Sequence, residues 1–88
     1  MPYKLEISKT AQKDLTKLDK VVLAALRKRL KRLAEEAEKI KHLALKGKFA
    51  GLYKLRFSGK YRVIYDLNHD RQLVVVVRVG KRSDIYDE

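Results

Sequence analysis

The chain has 88 residues and a mass of 10.3 kDa, room for one domain, since domains typically run to about 100–150 residues. Lys and Arg number 22 against 11 Asp and Glu, a formal net charge of +11. With no cysteine, disulfides, a thiolate nucleophile and Cys-ligated zinc are excluded. The longest apolar run, residues 21–26, has six residues, against the roughly 20 that a membrane span needs. The start, Met1-Pro2-Tyr3-Lys4-Leu5-Glu6, lacks the apolar stretch of a secretory signal. These features predict a small, soluble, cytoplasmic domain without membrane contact.

Such a charge raises self-repulsion, and a polyanionic partner offsets it. Nucleic acid leads; an acidic protein or an anionic membrane comes second. The charges are also segregated. Residues 20–32 hold six basic residues and no acid, and so do residues 46–62. Glu35, Glu36 and Glu38 cluster after the first of these stretches, and Asp84, Asp87 and Glu88 at the end of the chain.

In chain order, Tyr3-Lys4-Leu5-Glu6-Ile7 alternates apolar and polar residues, the pattern of a half-buried strand. Ser8 can cap a helix over residues 9–18, in which Ala11, Leu15 and Leu18 share a side. Asp19 either breaks the chain or caps a second helix over residues 20–38, whose stripe is Leu23, Leu26, Leu30, Leu33 and Ala37. The two helices are nearly contiguous and so predict a helical hairpin. Residues 39–51 stay ambiguous between burial (Ile40, Leu43, Leu45) and a turn bracketed by Gly47 and Gly51.

After Gly51 the period changes to 2. Residues 52–57 form a strand with Tyr53, Leu55 and Phe57 on one face and Lys54 and Arg56 on the other. Ser58-Gly59-Lys60 is a hairpin turn, residues 61–67 the next strand, and Asn68-His69-Asp70-Arg71 a second turn. Residues 72–79 contain Leu73-Val74-Val75-Val76-Val77, apolar on both faces, as an interior strand requires. The predicted class is α+β: an N-terminal strand, a two-helix hairpin and a three-stranded antiparallel meander, forming one small sheet with the helices on one face.

This arrangement places Lys54, Arg56 and Arg62 together on the face opposite the helices, with Arg78, Lys81 and Arg82 near the end of the next strand. Arg binds phosphate through a bidentate fork, and Lys adds a point charge. Against an ordinary solvated sheet face, convergence from two strands favours phosphate binding. Tyr86 can stack on a base, or act as a base if nearby guanidiniums favour its phenolate; packing at the domain edge is the simpler reading. Lys28 and Arg32, within the basic run on the second helix, are candidate RNA-backbone contacts on an otherwise solvated helix face. His42 and His69 read as surface residues. No His/Asp/Glu spacing suits a metal, no phosphate loop or nucleophile elbow is present, and no cofactor is expected.

The segment Gly51-Leu52-Tyr53-Lys54-Leu55-Arg56, followed by Gly59-Lys60-Tyr61-Arg62-Val63-Ile64-Tyr65, resembles the middle of the RelE/ParE superfamily of bacterial and archaeal toxins. Val79-Gly80-Lys81-Arg82 followed by Ile85-Tyr86 resembles its C-terminal motif. With residues 3–18 also fitting, the likeness covers nearly the whole chain. Members share the fold and differ in target.

The RelE-like branch implies a toxin of a type II toxin–antitoxin system that enters the ribosomal A site and cuts mRNA. Position by position, the resemblance puts Lys54 and Arg56 on the basic pair of the second strand, and Arg62 after the aromatic residue of the next. Arg82 falls on the Arg after Gly-Lys, and Tyr86 on the C-terminal Tyr. Arg56 stands where RelE has Lys, and a guanidinium is a poor proton carrier. RNA cleavage by its own 2′-OH needs a base, stabilisation of the phosphorane and help for the leaving oxygen. On this reading Arg62 and Arg56 hold the phosphate, Lys54 or Tyr86 is the base, and Arg82 assists the leaving group. Lys81, Arg78, Lys28 and Arg32 bind RNA. The implied partners are a cognate antitoxin, mRNA and the ribosome, with DNA met only through the antitoxin complex. Two other readings stay open: a ParE-like gyrase inhibitor without nuclease activity, and a non-catalytic RNA- or ribosome-binding module.

Overall fold

Two side-chain caps set the first third of the molecule in the computed structural model, which describes residues 2–81, 83 and 85. The Ser8 hydroxyl accepts from the Ala11 N–H at 3.1 Å and opens helix α1, Lys9–Leu15. The Asp19 carboxylate accepts from the Val22 N–H at 2.9 Å and opens helix α2, Lys20–Glu35. Of the two roles open to Asp19, capping is the one it plays. Both caps satisfy N–H groups that a helix start leaves without partners. The expected stripe is the buried one: Leu26, Leu30 and Leu33 of α2 are buried, Leu23 packs beside them, and Ala37 is buried in the turn just after the helix, which ends at Glu35 rather than at residue 38.

The strands are β1 (Lys4–Ile7), β2 (Leu43–Ala44), β3 (Tyr53–Phe57), β4 (Tyr61–Asn68) and β5 (Leu73–Lys81). They form one sheet in the order β1-β5-β4-β3-β2. The α+β class and the meander are as the sequence predicts. Two features extend it. The ambiguous stretch contributes β2, which pairs antiparallel with the start of β3. The first strand joins β5 in parallel, so the sheet is mixed. As its double-sided apolar run requires, β5 is interior.

Between β4 and β5 the register shifts: Ile64 faces Arg78, but Tyr65 faces Val76. Val77 is thus an extra residue in β5, a β-bulge. Ser8 holds it, donating its hydroxyl to the Val77 carbonyl at 3.0 Å. The bulge decides which side chains face the helices. Val74, Val76 and Val79 all enter the core, which strict alternation would forbid for 76 and 79. Arg78, which would otherwise follow Val76 inward, falls on the opposite face.

Candidate functional site

Cross-strand register builds the site. Arg56 pairs with Arg62, Lys54 with Ile64, and on the other side of β4 Arg62 pairs with Gly80 and Ile64 with Arg78. Partners across a ladder share a face, so Lys54, Arg56, Arg62 and Arg78 lie on one side of the sheet. Leu55 and Val63, with Tyr65, lie on the other, in the core. The predicted facial separation holds.

The ladder also sets how close the two arginines come. The Val79 N–H leaves the sheet edge for Asp14 rather than for β4. The Val63–Val79 pair is therefore not hydrogen-bonded, Arg62–Gly80 is, and Arg56–Arg62 is of the narrower, non-bonded kind. Its Cβ atoms are about 4.5–5.5 Å apart. Two guanidiniums so placed repel. The fold relieves this by turning Arg62 back: its Nη1 donates to the Gly59 carbonyl at 3.2 Å and to the Tyr61 carbonyl at 2.9 Å. Gly59 lies in the β3–β4 turn, where Ser58 and Gly59 adopt positive φ (53° and 70°), and Tyr61 opens β4. Arg62 is 9% exposed, Lys54 half-buried and Arg56 exposed. No ion pair found among the described residues involves Lys54, Arg56 or Arg62.

Arg78 behaves differently. Its Nε donates to the Asp14 carboxylate at 3.0 Å, and the same oxygen accepts the Val79 N–H at 2.9 Å. Asp14, on α1, is 8% exposed. It binds α1 to the edge of β5 where β1 has ended, so Arg78 shares the cationic face but is engaged by a buried acid. Nothing in the sequence spacing marks Asp14, which sits on the inner side of an otherwise amphipathic helix. Arg32 pairs with Glu36 at 3.3 Å on the exposed side of α2, and Lys28 is exposed there. Lys81 is exposed at the end of β5. Arg82 and Tyr86 lie outside the described residues. Their neighbour Ile85 is buried, and a Cβ on Gly80 would stand 3.3 Å from its Cγ1. The missing side chain at Gly80, Arg62's ladder partner, lets Ile85 close over this end of the sheet.

His42, read from the sequence as a surface residue, is instead half-buried and bonded at both nitrogens. Nε2 donates to the Ala37 carbonyl at 2.7 Å, which leaves Nδ1 to accept the Tyr65 hydroxyl at 2.6 Å. Tyr65 also stacks on Tyr53, with centroids 5.8 Å apart. Burial pushes its phenol up to about 12, against a smaller lowering by the nearby Arg29 charge. His69, at the β4–β5 turn, bonds through Nδ1 to the Tyr3 hydroxyl at 2.7 Å. Both histidines tie loops to the core. Among the described residues, no group of three His, Asp or Glu side chains is placed to hold a metal, and no helix is long and apolar enough to cross a membrane.

Residues 5–86 match the family model described as ParE toxin of type II toxin-antitoxin system, parDE. The chain is 34% identical over 87 residues to Toxin RelG of Mycobacterium tuberculosis, covering 98% of each. To mRNA interferase toxin RelE of Escherichia coli it is 35% identical over 91 residues, covering 100% of this chain and 94% of that one. The chain belongs to the RelE/ParE family of type II toxins. Its fold agrees with solved members. It overlays on the crystal structure of the M. tuberculosis toxin–antitoxin complex RelBE2 with a TM-score of 0.82 at 32% identity, over 96% of this chain and 95% of that one. For a free-state mutant of E. coli RelE the TM-score is 0.77 at 32% identity, over 100% and 94%. Within this toxin fold, the cationic face is carried by β3 and β4, with Arg78 added from β5.

Proposed function

We propose that this toxin is an mRNA endoribonuclease that acts with the ribosome and uses the substrate's own 2′-OH as nucleophile. The observation that carries the reading is the close Arg56–Arg62 pair beside Lys54, with no carboxylate to neutralise it among the described residues. The similarity to proteins named mRNA interferase supports it.

The 2′-oxygen attacks the adjacent phosphorus as the P–O5′ bond breaks, giving a 2′,3′-cyclic phosphate and a 5′-hydroxyl. The 2′-OH proton goes to a base, and the departing 5′-oxygen takes one up. Arg62, held by the Gly59 and Tyr61 carbonyls, and Arg56 receive the charge that builds on the phosphorane oxygens. Lys54 and Tyr86 are the candidate bases, and Arg82 assists the leaving oxygen. The nucleophile belongs to the RNA, so the step calls for no metal-bound water. Modest acid–base groups suffice where positioning on the ribosome supplies about 7–11 kcal/mol of the barrier. DNA, which lacks the 2′-OH, is not a substrate. A cognate antitoxin with acidic segments covers the face and silences it; the related structures that contain RelB antitoxins support this partner.

Primer extension on mRNA after brief expression tests the reading, with and without translation. Breaks are expected only during translation, and not with Arg62→Ala. The family model's ParE description favours one rival: gyrase inhibition by purified toxin without mRNA breaks would establish it instead.

A further inference from the structure

We propose that the recess between α2, the loop that follows it and β3 is a second phosphate subsite, with Arg29 and Lys41 as its own cations; this rests on the reading that the face takes RNA. The recess has a volume of about 300 Å³ and is lined by Arg29, Lys41, Lys54 and Arg56, with Leu43 and Tyr65 among its less polar walls. Its four cations come from three separate segments: α2, the loop and β3. None of them is in an ion pair among the described residues. Four like charges around one concavity repel one another, and an anion seated there removes that penalty.

The geometry favours a phosphodiester over an acidic peptide. β2 starts at Leu43, opposite Lys54, so from Leu55 onward β3 runs past it as an edge. A peptide added along that edge would offer its alternate side chains to one face of the sheet. The cations instead bracket the edge. Lys54 and Arg56 stand on the face away from the helices, and Arg29 comes from the helix side. This suits a charged backbone that crosses the edge. Neighbouring strands are about 4.8 Å apart, and Arg56 of the recess faces Arg62 across the ladder, so the recess is within a nucleotide or two of Arg62. Leu43, 42% exposed, offers an apolar contact for a ribose or base.

The test is the salt dependence of RNA affinity, measured with the full chain and a fluorescent 2′-O-methyl oligonucleotide that cannot be cut. For single strands, log K falls with log salt by about 0.7 per phosphate held. Arg29→Ala with Lys41→Ala should flatten the slope by about that amount and weaken all sequences alike. In ribosome-programmed cleavage the same variant should raise KM and keep kcat within about twofold, the signature of lost uniform binding. Lys9→Ala with Arg71→Ala removes the same charge from exposed positions elsewhere and should keep the wild-type slope. Equal slopes for the two double variants overturn the subsite. So does a loss of binding to an alternating Glu-Leu peptide with the RNA slope unchanged. A flattened slope in a toxin that cuts no mRNA sinks the nuclease reading and leaves the subsite standing. Single Arg29→Gln and Lys41→Gln variants serve if the double variant does not fold.

Discussion

Replacing Asp14 by Ala should be the most damaging single change outside the apolar core. One carboxylate oxygen there serves two donors, the Val79 N–H at 2.9 Å and Arg78 Nε at 3.0 Å. Asp14 is 8% exposed, and the two side chains of the ion pair are 9% and 23% exposed. Orphaning a buried N–H costs about 1–3 kcal/mol. Removing one partner of a buried ion pair costs up to about 3–5 kcal/mol, less here because Arg78 keeps some contact with water. A combined loss of about 3–5 kcal/mol is expected, a large share of the stability of a domain this size. At roughly 5 °C per kcal/mol for a chain of this length, the melting temperature should fall by about 15–25 °C. Asp14→Asn keeps an oxygen for Val79 and should lose about half as much. Asp14→Ala combined with Arg78→Met, which removes the stranded charge, should recover about 1 kcal/mol or more. Calorimetry or thermal circular dichroism reads all three. A shift under about 5 °C for Asp14→Ala, or an Asn variant as damaged as the Ala variant, would refute the argument.

Further outcomes follow from the same geometry. Arg62→Lys keeps the charge but loses the fork and its bonds to the Gly59 and Tyr61 carbonyls, and should cut mRNA cleavage at least about tenfold with little change in melting temperature. Tyr65→Phe loses the His42 hydrogen bond and should cost about 1 kcal/mol at pH 8. The Tyr65 phenol lies near 12 when folded against about 10 unfolded, so its about 2–3 kcal/mol is present in full below pH 10 and lost as pH rises through 12. Denaturant melts across pH 8–12.5 should therefore show the wild type's lead over the Phe variant shrinking and then reversing. A constant gap would mean that Tyr65 is not buried as described. Gly80→Val pushes on Ile85 and should cost about 1–3 kcal/mol, with cleavage falling further than stability predicts; an unchanged cleavage rate would remove Ile85 from the site.

The legible parts were those carried by local periodicity. The α2 stripe repeats every three to four residues, and β3 alternates cleanly, so the burial of Leu26 and Leu30 and the split between Leu55 and Arg56 could be read directly. Ser8 and Asp19 carried their caps in their side-chain chemistry. What stayed hidden depends on partners distant in sequence. Asp14 meets Arg78 across 64 residues, and no local pattern separates it from a solvated acid. His42 looks like a loop residue until Tyr65 comes beneath it. The run from Leu73 to Val77 showed that β5 is interior but concealed the bulge, because an unbroken apolar run has no phase to interrupt. β2, two residues long, exists only through its pairing with β3.

Arg78 and Arg62, both on the cationic face, show how one surface can hold a guanidinium committed to the fold beside one that, on the proposed function, takes an anion. Arg78 meets a carboxylate, which cancels its charge and locks it between α1 and β5. Arg62 meets carbonyl oxygens, which orient a guanidinium while leaving its full charge in place. Two other acids among the described residues are engaged elsewhere. Asp19 caps a helix, and Glu36 pairs with Arg32 on the exposed side of α2. None in the described residues is in an ion pair with Lys54, Arg56 or Arg62. Had a carboxylate held Arg62, the fold would gain an ion pair, and an incoming phosphate would have to displace it. Carbonyl anchoring gives less stability and avoids that competition. On the proposed function, the placement of acids and carbonyls around Arg62 is thus what separates a binding surface from a merely basic one.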